Sequence, residues 1–184
     1  MDTQKEKLIE KYRYANVEYF NWWEFIFYDF IEDAAKKGFE VEFEDISFSG
    51  FCSQGDGASF TGNVDVEKFL LYHKAGNEFR GILNAMRNFG GGVAIVRNSY
   101  GYSHEKTCGL GGDDIYDAIE YYTQEDKDGE RRKKLMNDRE KVLSWIEDVR
   151  LQLCKELYKM LEKEYEYLTS DKAVLESIEA NGWE

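Results

Sequence analysis

The spacing of apolar residues along the chain changes several times, and each change marks an element. Thr3 to about Arg13 is charged, with Leu8, Ile9 and Tyr12 on one side, which predicts a short helix. From Trp23 to Lys37 the residues Trp23, Ile26, Phe27, Phe30, Ile31 and Ala34 recur at helical spacing, and Gly38 supplies a stop. Asn21 and Glu24 stand ahead of this helix at capping-box spacing. The period then switches to two: Phe39, Val41 and Phe43 alternate with Glu40, Glu42 and Glu44, as in a strand with three glutamates on one face. Ile46–Phe51 continues as strand, Cys52–Gly57 reads as a turn, and the chain returns from Ala58 to Gly62, giving a first β-hairpin.

Val64–Lys74 suits either a helix or a strand. Asn77 is placed to cap a helix running to Phe89, and Gly90–Gly92 ends it. Val93–Val96 predicts a buried strand, Asn98–Gly101 a turn and Tyr102–Cys108 its partner, a second hairpin. Gly109–Gly112 and the acidic stretch through Asp128 read as a loop with a short helix at Asp113–Tyr122. Nothing interrupts a helix from about Glu130 to Leu168, striped by Val142, Ile146, Val149, Leu153, Leu157 and Leu161. At 1.5 Å per residue it is roughly 58 Å long, so one end is expected to project or meet a partner, including a second copy of the chain. Ser170 or Thr169 caps a last helix, Asp171–Ala180. Residues 1–184 are thus read as one α+β domain. Residues 1–125 form a core of helices and hairpins, with an antiparallel sheet of about four strands, and 126–184 hold the long and terminal helices.

Composition sharpens this picture in three ways. Aromatic residues are 16% of the chain, enough to build a core, while proline is absent, so glycine and Asn/Asp/Ser turns must separate the elements. The net charge of −13, from 37 acidic against 24 basic residues, repels nucleic acid and anionic membranes and attracts basic protein surfaces. Cys52, Cys108 and Cys154 are odd in number with no CxxC pair, which argues against a disulfide framework or zinc site and for a reducing, cytoplasmic location. No apolar run has the length of a signal peptide or a membrane span. No metal or cofactor is expected.

Two constellations are candidates for function. The first is acidic: Glu24, Asp29, Glu32, Asp33, Glu40, Glu42, Glu44 and Asp45 fall between Asn21 and Phe48, against Lys36 and Lys37. Glu32, Asp33, Glu40, Glu42, Glu44 and Asp45 are the expected partner-binding set, a row of negative charge suited to a groove built for phosphates. The second is the glycine-rich turn, where Ser53, Gln54 and Asp56 could present a carboxylate and backbone N–H groups to a ligand or partner. His104 is placed to join it. His104 and Glu105 are neighbours on an expected strand, face opposite sides, and cannot pair with each other.

The string Ile46-Ser-Phe-Ser-Gly-Phe-Cys-Ser-Gln-Gly-Asp-Gly-Ala-Ser-Phe-Thr-Gly62 resembles the signature of a family of small acidic proteins encoded by bacteriophages and prophages. Trp22-Trp23, Tyr102-Ser-His-Glu105, Glu164-Tyr-Glu-Tyr-Leu-Thr-Ser-Asp171 and Glu179-Ala-Asn181 are similar to further segments of it, in the same order. Some members are named as antitoxins of a toxin–antitoxin stability system. The resemblance implies a phage origin and a shared fold. Charge and resemblance together lead to a non-enzymatic expectation: a counter-defence inhibitor, of anti-CRISPR or anti-restriction type, that occupies a basic nucleic-acid-binding surface of a host protein. An antitoxin or regulatory partner of a phage or host protein, and a small-ligand-binding protein or enzyme built on the SQGDG turn, are the alternatives.

Overall fold

The computed structural model describes residues 3–125 and 129–183; the expected boundary between core and long helix, at residues 125 and 126, falls at the edge of the undescribed residues 126–128. In chain order the elements are α1 (Thr3–Tyr12), α2 (Ala15–Glu18), α3 (Glu24–Lys36), β1 (Phe39–Glu40), a 3₁₀ turn (Phe43–Asp45), β2 (Ile46–Ser49), β3 (Gly57–Phe60) and β4 (Gly62–Val64). There follow α4 (Val66–Tyr72), α5 (Arg80–Phe89), β5 (Val93–Arg97), β6 (Cys108–Asp113), α6 (Ile115–Tyr122), α7 (Glu130–Leu168) and α8 (Asp171–Asn181). The fold is α+β, with a four-stranded antiparallel sheet in the order β1-β4-β5-β6 and a separate two-stranded sheet, β2-β3. The two hairpins therefore do not share a sheet.

α3 buries Ile26, Phe27, Phe30 and Ala34, one stripe of its 3.6-residue period. Its start differs from expectation: the Asn21 amide donates to the Glu24 carboxylate at 2.8 Å, and no side chain caps the first turn. The alternating segment that follows is not one strand. Phe39 and Val41 are buried and Glu40 and Glu42 exposed, but β1 ends at Glu40. The Asp45 N–H donates to the Glu42 carbonyl at 3.1 Å and the Asp45 carboxylate accepts from the Thr61 hydroxyl at 2.7 Å, closing the 3₁₀ turn.

The ambiguous segment resolves at Asp65, whose carboxylate accepts the Lys68 N–H at 2.9 Å and caps α4. α5 begins two residues later than expected, at Arg80, with Phe79 rather than Asn77 in the cap position. The partner of β5 is Cys108–Asp113, pairing Val96 with Gly109 and Arg97 with Cys108. The glycine-rich stretch read as loop is thus strand, and Tyr102–Thr107 is loop.

α7 runs from Glu130 to Leu168 as expected, burying Val142, Ile146, Leu153, Leu157 and Leu161. Its last turns do not project. α8, capped by Ser170, folds back, and the Asn16 amide donates to the Leu168 carbonyl at 3.0 Å. The first turn, residues 130–134, carries no buried side chain, and after Leu161 the side chains are at most half-buried. The main core joins these α7 residues to Phe39, Phe60, Phe69, Ile82, Ile115 and Ile119. A small second core pairs α1 with α8 through Ile9, Val174 and Ile178, closed by Tyr12 stacked on Trp183 at 4.8 Å. No helix of the described residues is long and apolar enough to cross a membrane.

Candidate functional site

The signature loop between β2 and β3 is built around one carboxylate. Asp56 Oδ2 accepts the backbone N–H groups of Phe51, Cys52 and Ser53 at 2.9, 2.5 and 2.5 Å, and Oδ1 accepts the Ser53 hydroxyl at 2.8 Å. Those bonds, the Ser53 backbone N–H foremost, hold the Asp56 carboxyl below its ordinary range. Gly50 has φ +94°, and a Cβ there would run into that carboxylate. Phe51 itself adopts φ +122°, which for a non-glycine residue costs energy unless the surroundings enforce it. They do: its ring stacks on Tyr165 at 4.6 Å and Tyr158 at 5.6 Å on α7.

His104 does lie beside this loop. A Cβ on Gly57 would come within 2.6 Å of the His104 Cβ, and the Ser103 N–H donates to Ser49 Oγ at 2.7 Å. Yet His104 Nδ1 accepts the Lys106 N–H at 3.2 Å, while Asp56 is committed to the loop's own backbone. Nearness has not made a base dyad. Gln54 lines an open cleft with Phe51, Cys52, Ser53, Asp56, Tyr158 and Glu162. Beneath the loop, Arg150 is only 1% exposed and makes two bonds to Glu147, at 2.7 and 2.6 Å, and one to the Glu105 carbonyl at 3.0 Å. Burial pushes the neighbouring Cys154 thiol up to about 12, the protonated and unreactive form. Among the described residues no group of three or more His, Cys, Asp or Glu is placed to hold a metal ion.

The expected acidic row is divided. Glu32 pairs with Lys36 at 2.9 Å and Asp33 with Lys37 at 2.6 Å. Asp45 is held in the 3₁₀ turn by Thr61. Glu40, Glu42 and Glu44 are exposed, Glu40 on the short β1 and the other two on either side of Phe43. Their common strand-face spacing is lost with the strand.

Beside them lies a feature the sequence reading passed over. Phe25 and Tyr28 are 52% and 61% exposed on the outer face of α3, and Tyr19 and Phe20, just ahead of it, are 74% and 59% exposed. The Tyr28 ring lies 5.2 Å from that of Phe43, which joins α3 to the turn bearing Glu42 and Glu44. Helical spacing puts Asp29 and Glu32 on the same face as Phe25 and Tyr28. The signal was present in the sequence: two aromatics fell on the face of α3 opposite its core stripe. Such rings can anchor a protein contact. A half-exposed aromatic offers on the order of 100 Å² to cover, about 2–3 kcal/mol per ring at ~25 cal/mol per Å². That is the size of an interface hot spot, and the adjoining carboxylates form a polar rim.

No curated protein and no solved structure matches the chain. A family described as Domain of unknown function (DUF8835) matches residues 22–171, which include α3, both sheets and all of α7. The chain belongs to the DUF8835 family.

Proposed function

We propose that this chain is an acidic binding protein that covers a basic, nucleic-acid-binding surface of another protein, acting in the host cytoplasm as a phage-encoded counter-defence inhibitor. The observation that carries the reading is the outer face of α3, where Phe25 and Tyr28 stand in water beside Asp29, Glu42 and Glu44. The rings supply affinity through buried area, and the carboxylates select a cationic partner and speed encounter. The net charge of −13 acts in the same direction at longer range. The long helix, expected to meet a partner at one end, would be the docking element for the antitoxin alternative, but its apolar stripe is buried from Leu135 to Leu161. α3 is the better-equipped element.

The test pairs the full-length chain with a Phe25→Ser/Tyr28→Ser variant as bait in infected host cells, then measures the captured protein in purified form. The expected result is a partner with a basic surface, retained by the native chain and lost by the variant. Its nucleic acid should be displaced on binding, and affinity should fall between about 0.05 and 0.5 M salt as exposed charge pairs are screened. Equal capture by both baits, or a purified complex indifferent to salt and to nucleic acid, would overturn the proposal.

A further inference from the structure

On another part of the molecule the sign of the charge reverses. Between the end of α4 and the start of α5 lies an open groove of about 490 Å³, within the range of small-molecule sites. Its polar lining is Lys74, Asn77, Arg80, Asn84 and Arg87, over a floor of Leu71 and Leu83. Three cations and no carboxylate line it among the described residues, in a chain whose acidic groups outnumber its basic ones by 37 to 24.

Three local features go against the preference of the backbone, and the two at the start of α5 favour an anion. Lys74 adopts φ +58° where the chain leaves α4, with the Ala75 N–H donating to the Leu70 carbonyl at 2.9 Å. This left-handed helix stop usually takes glycine or asparagine. Arg80 occupies the first position of α5, where a cation opposes the helix dipole. That ten-residue helix has no acidic residue in its first turn and no side-chain cap from Phe79, so its leading N–H groups lack the acceptor a carboxylate would provide. The guanidinium groups also keep donors in reserve. Arg80 bonds Asn77 Oδ1 through one terminal nitrogen at 3.1 Å, and Arg87 bonds Glu67 through Nε at 2.6 Å. A second cleft shares Asn77 and Arg80 but mixes Arg131 and Lys134 of α7 with the carboxylates of Glu78 and Asp138, so the purely cationic lining ends with the first groove.

We propose that this groove binds a compact, multiply charged phosphate ester of the size of a nucleotide polyphosphate, with Lys74, Arg80 and Arg87 on its phosphates and Asn77 and Asn84 as further donors. Guanidinium forks and carboxamides are the donor set that phosphate oxygens take. A compact ligand fits better than a nucleic acid strand, because a strand leaving the groove would meet a surface of the opposite preference. At physiological salt the groove's field reaches only about 8 Å, so ligand charge must be concentrated to be held.

The test is calorimetric titration of the full-length chain at low salt with tripolyphosphate, ATP, orthophosphate and a long single-stranded oligonucleotide. Saturable binding of tripolyphosphate and ATP is expected, with orthophosphate weaker and the oligonucleotide no tighter than ATP. Lys74→Gly should weaken ATP by about tenfold or more while leaving the melting temperature unchanged or raised, because glycine accepts φ +58° without strain. Arg80→Gln, exposed at the helix start, should weaken it similarly. Absence of saturable binding by the native chain, or unchanged affinity in both variants, would overturn the assignment. Affinity that climbs with oligonucleotide length past that of ATP would overturn it as well, since the surface would then be tracking a polymer.

Discussion

Asp56 in the signature loop and Phe25 on α3 reverse the roles that their residue types suggest: the loop carboxylate serves the fold, and the aromatic ring stands in solvent. The carboxylate, on an exposed loop, is occupied by three backbone N–H groups and a hydroxyl, so it organises its own surroundings. The phenyl ring, in a helix with an aromatic core stripe, faces water. Around Asp56 the polar residues form an internal frame: Ser49 to Ser103, Thr107 to Ser59 at 3.2 Å, Arg150 to Glu105 and Glu147. Around Phe25 the polar contacts among the described residues are local ones within a few positions, Asn21 to Glu24 and Glu32 to Lys36, beside exposed rings and carboxylates. A distinctive polar motif can therefore be a device of folding, while the surface fitted for contact is written in residues that look like core.

The sharpest way to break this comparison is at Arg150. Removing one partner of a buried charged pair leaves the other unmatched, and typically costs about 3–5 kcal/mol. Glu147 is one-third exposed and can rehydrate, so Arg150→Ala should fall near the lower end, about 3 kcal/mol in urea unfolding. Arg150→Met, which keeps the stem volume, should lose less. A loss under about 1 kcal/mol for the alanine variant would mean that this frame is not what fastens the Tyr102–Thr107 loop to α7.

Asp56→Asn comes next, and its signature is pH dependence. The folded-state value of Asp56 lies below its ordinary 3.8, so its contribution is complete above that ordinary range and is lost as pH falls through the lowered folded value. Native protein should show this acid-side loss of melting temperature, and the variant should start lower and have a flatter profile over the same range. Parallel profiles would show that the four bonds do not depend on the charge.

The long helix, the terminal helix with its Ser170 cap, the stripe of α3 and the strand at Val93 were legible because periodicity and capping residues act within a few positions of one another. The failures share a cause: tertiary contacts reproduced or inverted a local pattern. The alternation from Phe39 to Glu44 is a true alternation of burial, yet it arises from a two-residue strand followed by a 3₁₀ turn that Thr61, distant in sequence, helps to close. Gly109 and Gly111 read as loop because glycine disfavours strands. They are strand because the segment pairs with β5, Gly109 opposite Val96, and glycine is needed there because Asn98 and Val96 occupy the space a Cβ would take, at 2.7 and 2.8 Å. The cationic groove was illegible for the same reason. Lys74, Arg80 and Arg87 are unremarkable surface residues until α4 and α5 fold against each other.

The smallest expected effect is the most discriminating. The double substitution Phe25→Ser/Tyr28→Ser removes two aromatic side chains from a helix, which in a core would cost many kcal/mol. Here both rings are more than half exposed, so little buried area is lost, and serine has a helix propensity close to those of phenylalanine and tyrosine. The contact of Tyr28 with Phe43 at 5.2 Å should account for most of what remains. The expected total is about 1 kcal/mol or less, a shift of roughly 2–4 °C in a chain of this size. A much larger drop would show that the rings brace α3 against the 3₁₀ turn, and that the outer face of this helix belongs to the fold in the way the signature loop does.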